Sequence, residues 1–248
     1  MSKIIIAEKP SVAMSYAAAL NGKFLRYDGY LENDEWIVTW AVGHLVTMSY
    51  PEKYDEAYKN WNLDDLPFIP QRYLYETLPD TKDQFNVIKS LYNRPDIDAI
   101  YYAGDSAREG LYIQMLIRMM AGHNPNAKEL VVWIDSQTMD EIRKGIREAK
   151  PLSAYTNMSA SGFIRAIEDY STGINISRAL TCKYQEDAGL KGSISVGRVM
   201  TCVQGMVVER EMEIKNFTAT KFFKVKSRIP VGDGYVEAEW KASPERPH

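Results

Sequence analysis

The stretch that decides the fold is YYAGDSAREGLYI, residues 101–113. It begins at the end of an apolar run that starts near Ile97, and it carries two acidic residues, Asp105 and Glu109, before a segment of helical character. A strand that ends in a short turn and leads into a helix is typical of a parallel α/β sheet. Taken alone, the turn is either a metal site or a capped helix start, with Asp105 or Ser106 as the N-cap.

The rest of the first 150 residues repeats this alternation. Short apolar, β-branched runs alternate with segments in which apolar residues recur at helical spacing. This order predicts an α/β fold with a largely parallel sheet flanked by helices. The strand-like runs are residues 3–7, 35–45, 97–104 and 129–134. The first helical segment begins near Pro10, and the others are residues 81–93, 108–122 and 138–150.

After Pro151 the pattern changes. Residues 153–217 carry helical patterns interrupted by the glycine-containing stretch EDAGLKGSISVG, and the two runs KFFKVKSRIPV and GYVEAEW then predict a hairpin around GDG. Two strands do not form a stable domain by themselves. We therefore expect an α/β domain at 1–150, an incomplete helical domain at 151–216, and the first strands of a truncated β domain at 217–248.

Composition excludes several classes of protein. The 248-residue chain has a net charge of −3, so a nucleic-acid partner would have to bind a local basic surface. No apolar run is long enough to span a membrane, and the N-terminus lacks the features of a secretory signal. Two cysteines argue against a disulfide scaffold or a cysteine-ligated zinc site. A cytoplasmic location is expected.

Three carboxylates are the candidate metal ligands. Glu8 follows the first predicted strand, as Asp105 and Glu109 follow a later one. If the two strands are neighbours, these side chains converge at one sheet edge, where hard oxygen ligands suit Mg²⁺. Arg108 and the helix N-terminus could hold a phosphate beside the metal. The alternative is a surface ion pair between Glu8 and Lys9, together with a simple helix cap.

Two further features involve arginines. Arg198 falls in the first turn of a predicted helix after a glycine-containing loop, where it would be free to reach outward. A cation at this end of a helix opposes the helix dipole, which suggests a compensating anion. The alternative is an arginine that is only solvated. Arg165 and Asp169 are spaced i, i+4 and can form a salt bridge on one helix face.

Together these motifs resemble the type IA DNA topoisomerases, most closely the topoisomerase III branch. The resemblance runs from residue 3 to about residue 225 and is carried, in order, by AEKPSVA, GHL at 43–45, DSAREG, RAIEDYSTGINISRAL and SVGRVMT with VVEREMEI. It implies a Toprim domain, a helical part that helps form a groove for single-stranded DNA, and Mg²⁺ as cofactor. It gives no indication of protein partners.

The resemblance also implies residue roles. Glu8 matches the glutamate beside the scissile phosphate and Lys9 a phosphate-contacting lysine. Asp105 and Glu109 match the outer members of an Asp-x-Asp-x-Glu metal motif, and the implied metal ligands are Glu8, Asp105 and Glu109. Arg198 matches a DNA-contacting arginine near the active site. The other implied DNA-binding residues are Arg108, Arg165, Asp169 and Ser195. His44 lies in the Gly-His-Leu element, and it has either a role in the family's activity or a purely structural role.

The chain departs from the family pattern at the metal motif and in lacking a nucleophile. Ala107 stands where the family has the middle aspartate of the metal motif, and Leu111 stands where an acidic residue commonly follows Arg-Glu-Gly. Met200 and Cys202 stand where a Gln and a Pro often follow Gly-Arg-Val. The family forms a 5′-phosphotyrosine, and none of the 16 tyrosines lies in the expected Tyr-x-Arg-Thr-like context.

We therefore expect the chain to be part of a type I topoisomerase and to be inactive by itself. The enzyme is expected to be independent of ATP, because the chain has no Gly-x-x-x-x-Gly-Lys-Ser/Thr loop. The alternative is a catalytically degenerate relative that binds single-stranded DNA. A Toprim primase or nuclease is a third reading, against which the helical segment with SVGRV argues.

Overall fold

The computed structural model describes residues 1–241, and contacts divide the chain at Arg198 into two compact units. The described strands are β1 (Ser2–Ala7), β2 (Leu25–Tyr27), β3 (Tyr30–Glu32), β4 (Trp36–Trp40), β5 (Val46–Met48), β6 (Tyr75–Thr77), β7 (Ile97–Ala103), β8 (Lys128–Val131), β9 (Lys150–Pro151), β10 (Lys226–Val231) and β11 (Gly234–Glu239). The described α-helices are α1 (Pro10–Ala19), α2 (Lys82–Tyr92), α3 (Arg108–Ala121), α4 (Met139–Arg147), α5 (Thr156–Tyr184) and α6 (Arg198–Lys215). Short 3₁₀ turns lie at Pro51–Lys53, Glu56–Lys59, Leu63–Asp65, Pro79–Thr81 and Leu152–Tyr155.

A seven-stranded sheet organises the first unit, in the order β2-β3-β4-β1-β7-β8-β9. The four inner strands β4, β1, β7 and β8 run parallel, and β2, β3 and β9 pair antiparallel at the edges. A strand buried on both faces reads as a continuous apolar run, which is what Ile4, Ile5 and Ile6 provide at the centre of the sheet. The predicted α/β fold with a largely parallel sheet is confirmed.

Helices cover both faces of this sheet. Ile4 and Ile6 pack with Ile88 of α2 and Leu116 of α3 on one face. On the other face Ile5 and Ala7 join residues of α1 and α4, among them Val12, Tyr16 and Ile142. Successive side chains of β1 thus enter opposite layers, as the two-residue period of a strand requires.

The segment 35–45, predicted as one strand, is divided in the structure. Strand β4 ends at Trp40, and Gly43 has a positive φ of 87°, which residues other than glycine rarely adopt. The chain therefore leaves the sheet before β5, which pairs with β6 in a separate two-stranded sheet. As a result His44 lies outside the main sheet, near the first turn of α3.

Helix α5 packs closely against α3 because a glycine lies at the contact. A Cβ on Gly162 would come within 3.0 Å of the Tyr112 Cβ, so a larger residue would separate the helices. Next to it, the rings of Tyr112 and Phe163 meet edge to face with centroids 5.1 Å apart. This packing brings the polar residues of α5 beside the start of α3.

From Val199 onward, the second unit contains most of α6 and the hairpin β10–β11. The predicted hairpin around GDG is confirmed, with Val231 paired to Gly234 across the turn. Residues 242–248, which belong to the predicted third domain, lie outside the described residues. Among the helices of residues 1–241, none combines the length and the apolar composition that a membrane span requires.

Candidate active site

Two of the predicted carboxylates emerge at the same sheet edge. Strands β1 and β7 are adjacent and parallel, with Ala7 opposite Ala103, so Glu8 and Asp105 both follow the carboxyl ends of their strands. Both residues line a cleft of about 90 Å³. Asp135, downstream of β8, lines the same cleft and was missed in the sequence analysis. Its position after a predicted parallel strand was the available signal.

The third predicted carboxylate, Glu109, lies elsewhere. Its Oε1 is 3.2 Å from Nε2 of His44, and both residues line a second cleft of about 240 Å³. Glu8 and Asp105 do not line that cleft. Over residues 1–241, no group of three or more His, Cys, Asp or Glu side chains is arranged to hold a metal ion. The expected convergence of Glu8, Asp105 and Glu109 is therefore not present.

The turn between β7 and α3 is held by Ser106. Its hydroxyl donates to the carbonyl of Ile134 at 2.7 Å and accepts from the Ile134 amide at 2.9 Å. Because this hydroxyl bridges to the segment after β8, it does not cap α3. The N-cap is Ala107, which has no side-chain acceptor, so the alternative with Asp105 or Ser106 as the cap is wrong.

A glycine allows the first turn of α3 to lie directly on this loop. A Cβ on Gly110 would overlap the main chain of Asp105, including its carbonyl oxygen and its nitrogen at 2.7 Å. The Asp105 carbonyl also accepts from the Ala107 amide at 2.7 Å. The main chain of the acidic turn is therefore tightly constrained by close packing.

The two basic residues of this region differ in their surroundings. Lys9 is the N-cap residue of α1, and its exposed ammonium lies 4.0 Å from the Glu8 carboxylate. Arg108 is the first residue of α3, and its guanidinium donates to the Ser161 hydroxyl of α5 at 3.4 Å. Lys9 is thus available at the edge of the sheet, whereas Arg108 is directed toward α5.

Arg165, Asp169 and Arg198 form one charged cluster. The predicted salt bridge is confirmed, with the Arg165 Nε 3.9 Å from the Asp169 carboxylate. Arg198 donates to both carboxylate oxygens of Asp169 at 2.6 Å. The expectation that Arg198 is free to reach outward is therefore wrong. Asp169 is the anion that compensates this arginine at the N-terminal end of α6.

A larger open groove of about 550 Å³ adjoins this cluster. It shares Thr47, Met48, Asp169 and Tyr170 with the cleft that contains Glu109, so the groove and that cleft are adjacent. The other residues that line the larger groove include three serines, and an arginine beside a tryptophan: Ser177, Ser193, Ser195, Arg178 and Trp61.

Arg178 and Trp61 were also missed in the sequence analysis. The Arg178 side chain is 3% exposed, lies over the Trp61 ring at 5.1 Å and donates to the carbonyl of Tyr58 at 2.9 Å. This contact attaches the 3₁₀ region near residue 60 to α5. No local pattern joins residues so distant in sequence.

Two of the tyrosines that line these clefts, Tyr170 and Tyr112, have structural roles. Tyr170 donates its hydroxyl to the Ser49 carbonyl at 2.7 Å, and burial raises its pKa. Burial also raises the pKa of Tyr112, whose ring packs against Phe163. Phenols that are kept protonated by burial are poorly suited to act as nucleophiles.

Family models match most of the chain. Residues 3–135 match the Toprim domain and residues 153–246 match a DNA topoisomerase family. The chain is 41% identical over 229 residues to a DNA topoisomerase 3 of Bacillus cereus, an alignment that spans 92% of this chain and 30% of that protein. A DNA topoisomerase 3 of Staphylococcus epidermidis is 38% identical over 235 residues, covering 95% and 31% respectively. The chain therefore spans about a third of the length of these relatives. The comparisons do not support the reading as a degenerate binding protein.

Proposed function

Because the chain belongs to the Toprim-containing type IA DNA topoisomerases and is similar to topoisomerase III, we propose that it forms the Toprim and groove portion of an enzyme that cleaves and rejoins one DNA strand. The observation that carries this proposal is the pair of adjacent clefts that share Asp169 and are lined by Glu109 and by Ser195. A further cleft, at the carboxyl ends of β1 and β7, is lined by Glu8 and Asp105. The chain supplies the phosphate-handling edge and part of the strand-binding groove.

The groove provides a binding surface for single-stranded DNA. Arg165 and Arg198 meet at Asp169, and Ser195 lines the groove that adjoins this cluster. The net charge of the chain is −3, so a local arginine pair is the electrostatic feature that favours a phosphate here. Asp169 holds both guanidinium groups in position. The ion pairs are half exposed, so a phosphate can replace the carboxylate at little cost.

The sheet edge is the proposed place of the scissile phosphate. Lys9 is exposed beside Glu8 and supplies a positive charge, and the N-terminus of α3 supplies main-chain donors behind Asp105. Arg108 holds α3 against Ser161 of α5, which links this edge to the strand-binding groove. In this proposal Glu8 and Lys9 act at the phosphate, together with Arg198 at the groove.

The donor chemistry of the edge fits Mg²⁺, although it does not form a complete cage. Glu8 and Asp105 offer hard carboxylate oxygens in one small cleft. Mg²⁺ is commonly bound by one or two carboxylates, with waters and substrate phosphates as the other ligands. We propose that Glu8 and Asp105 hold the ion, and that Glu109 joins them after leaving His44. When bound, Mg²⁺ would orient the phosphate and offset its charge.

The covalent step requires a tyrosine that this chain does not contain in the family context. Its hydroxyl oxygen would bond to the 5′ phosphorus while the 3′ oxygen of the broken strand leaves as a hydroxyl. The reverse attack restores the phosphodiester without external energy. In this proposal Glu8, which lines the cleft at the sheet edge, exchanges a proton with one of these oxygens.

Supercoil relaxation tests the proposal. The full-length protein that contains this chain should relax negatively supercoiled DNA with Mg²⁺ and without ATP, whereas the 248-residue chain should not. The chain itself should bind a labelled single strand more tightly than a duplex. No relaxation by the full-length protein with any divalent ion, or a preference for duplex, would contradict the proposed function.

We propose a Toprim domain at 1–150, a helical groove domain at 151–216 and the first strands of a β domain from 217. A cytoplasmic location agrees with Cys182 and Cys202, which are exposed free thiols. Limited proteolysis that yields a stable fragment ending near residue 150 would support the first boundary.

A further inference from the structure

Gln114 of α3 carries a polar group in the middle of the core. The residue is 1% exposed, and neither its amide nitrogen nor its amide oxygen has a hydrogen-bond partner within the described protein. Buried polar groups are nearly always paired with protein or with an internal water, because an unpaired group costs free energy. This side chain therefore requires a partner, and leucine or methionine would fill the same space without that requirement.

A small cavity adjoins this amide. Its volume is about 10 Å³, and its lining includes Gln114, Gly104, Asp105 and Leu111. A cavity of roughly this size accommodates one water molecule when two or more polar groups face it. The end of β7 approaches closely here, since a Cβ on Gly104 would lie 3.0 Å from the Gln114 Cγ. The amide is thus directly behind the turn that carries Asp105.

The Asp105 side chain depends on this turn for its position. No side chain within residues 1–241 forms an ion pair or a hydrogen bond with its carboxylate. The turn is held from one side by Ser106, which bonds to Ile134, and from another by the close contact with Gly110. Behind Asp105 the polar contact available is the Gln114 amide together with the cavity.

We propose that Gln114 is a positioning residue that, through one bound water molecule, holds the Asp105 turn in place. The amide can donate to and accept from this water, which in turn can reach the main chain at Gly104 and Asp105. This inference rests on the proposed function only in assigning Asp105 to the metal and phosphate site. The water bridge itself is independent of that assignment.

The first test uses the wild-type chain. A high-resolution crystal structure should show one ordered water within hydrogen-bonding distance of the Gln114 amide and of the main chain at residue 104 or 105. A dry cavity, or a Gln114 side chain that bonds directly to protein, would overturn the proposal. This arm does not depend on the folding of any variant.

The second test compares Gln114→Met with Leu116→Met. Both changes place methionine at a buried position of α3, and Leu116 does not line the cavity. Gln114→Met should accelerate amide hydrogen exchange at residues 104–110 about fivefold, the size expected from one lost hydrogen bond. Leu116→Met should leave that segment unchanged. Equal exchange in the two variants would overturn the positioning role.

Calorimetric titration with Mg²⁺ separates this inference from the proposed function. Weaker Mg²⁺ binding by Gln114→Met than by Leu116→Met supports both the positioning role of Gln114 and the proposed function. If the wild type binds no Mg²⁺ while the water and the exchange effect are present, the metal assignment fails and the positioning inference stands. If Mg²⁺ binds but both variants match wild type in exchange and affinity, the inference fails and the proposed function stands.

Discussion

Arg198 and Asp169, which lie 29 residues apart in the chain, are joined by two contacts of 2.6 Å between one guanidinium nitrogen and both carboxylate oxygens. Arg165 approaches the same carboxylate from the preceding turn of α5. One acidic side chain therefore holds two arginines at the junction of both clefts. In the proposed function a DNA phosphate binds the same two arginines, so Asp169 would both position them and compete with the ligand.

Asp169→Asn should strengthen binding of single-stranded DNA at low salt. Asparagine can still accept a hydrogen bond from Arg198, but it no longer repels a phosphate. We expect about a threefold gain in affinity by fluorescence anisotropy, with a steeper salt dependence. The matched control is Glu213→Gln, which removes an exposed negative charge from the pair with Arg210 on α6. An equal gain in the control would show a general charge effect only.

Ala107→Asp should restore a helix cap and a metal ligand together. Ala107 is the N-cap residue of α3 in an extended conformation, which allows an aspartate to accept from the first turn. We expect about 1 kcal/mol more stability and tighter Mg²⁺ binding by calorimetry. Ala107→Asn is the control, since asparagine caps a helix without adding a charged ligand. If both variants bind Mg²⁺ like the wild type, Ala107 is not the missing ligand position.

Gly110→Ala should disturb the acidic turn. A Cβ at this position would overlap the Asp105 main chain, so α3 or the turn has to move. We expect a loss of about 2 kcal/mol in the free energy of unfolding. The control Gly205→Ala lies in α6 with open space around its Cβ position, and there alanine should stabilise the helix by up to about 1 kcal/mol. Equal effects of the two substitutions in urea unfolding would contradict the close contact.

Glu129 should make stability depend on acid pH. Desolvation raises its pKa, but hydrogen bonds from Arg118, Tyr102 and Tyr92 outweigh that effect and hold the pKa below its usual value of 4.5. A depressed carboxyl pKa contributes stability that is complete above the unfolded value and is lost as the pH falls through the folded value. The free energy of unfolding of the wild type should therefore exceed that of Glu129→Gln by about 2 kcal/mol at neutral pH.

That difference should shrink as the pH falls below about 4.5. Urea unfolding of both proteins across this range measures it. Glu213→Gln, a change at an exposed ion pair, should show little difference from wild type at either pH. If the difference in the free energy of unfolding between wild type and Glu129→Gln stays constant from neutral to acid pH, the Glu129 carboxylate is not its source.

The main sheet was largely predictable because its inner strands are recognisable from local composition. The run KIIIA forms β1, and the apolar run at 97–104 forms β7 beside it. Strands β2 and β3 were not predicted, since each has three residues and β2 is exposed on all of them. Such short strands are defined by pairing with a neighbour, which no local pattern reveals.

The site was predictable only in part, for a similar reason. Glu8 and Asp105 share a cleft because the ends of adjacent parallel strands meet at one edge. The separation of Glu109 depends on where His44 lies after the chain leaves β4. The contact between Trp61 and Arg178 likewise requires the tertiary structure.

The central claim is that the groove beside Arg198 binds single-stranded DNA, and Arg198→Ala tests it most directly. Anisotropy of a labelled single strand should show about a fivefold or greater loss of affinity relative to wild type, with a shallower salt dependence. The control Arg210→Ala removes an exposed arginine of the same helix, paired with Glu213, and should bind like wild type. Equal affinities of Arg198→Ala and Arg210→Ala at low salt would contradict the claim.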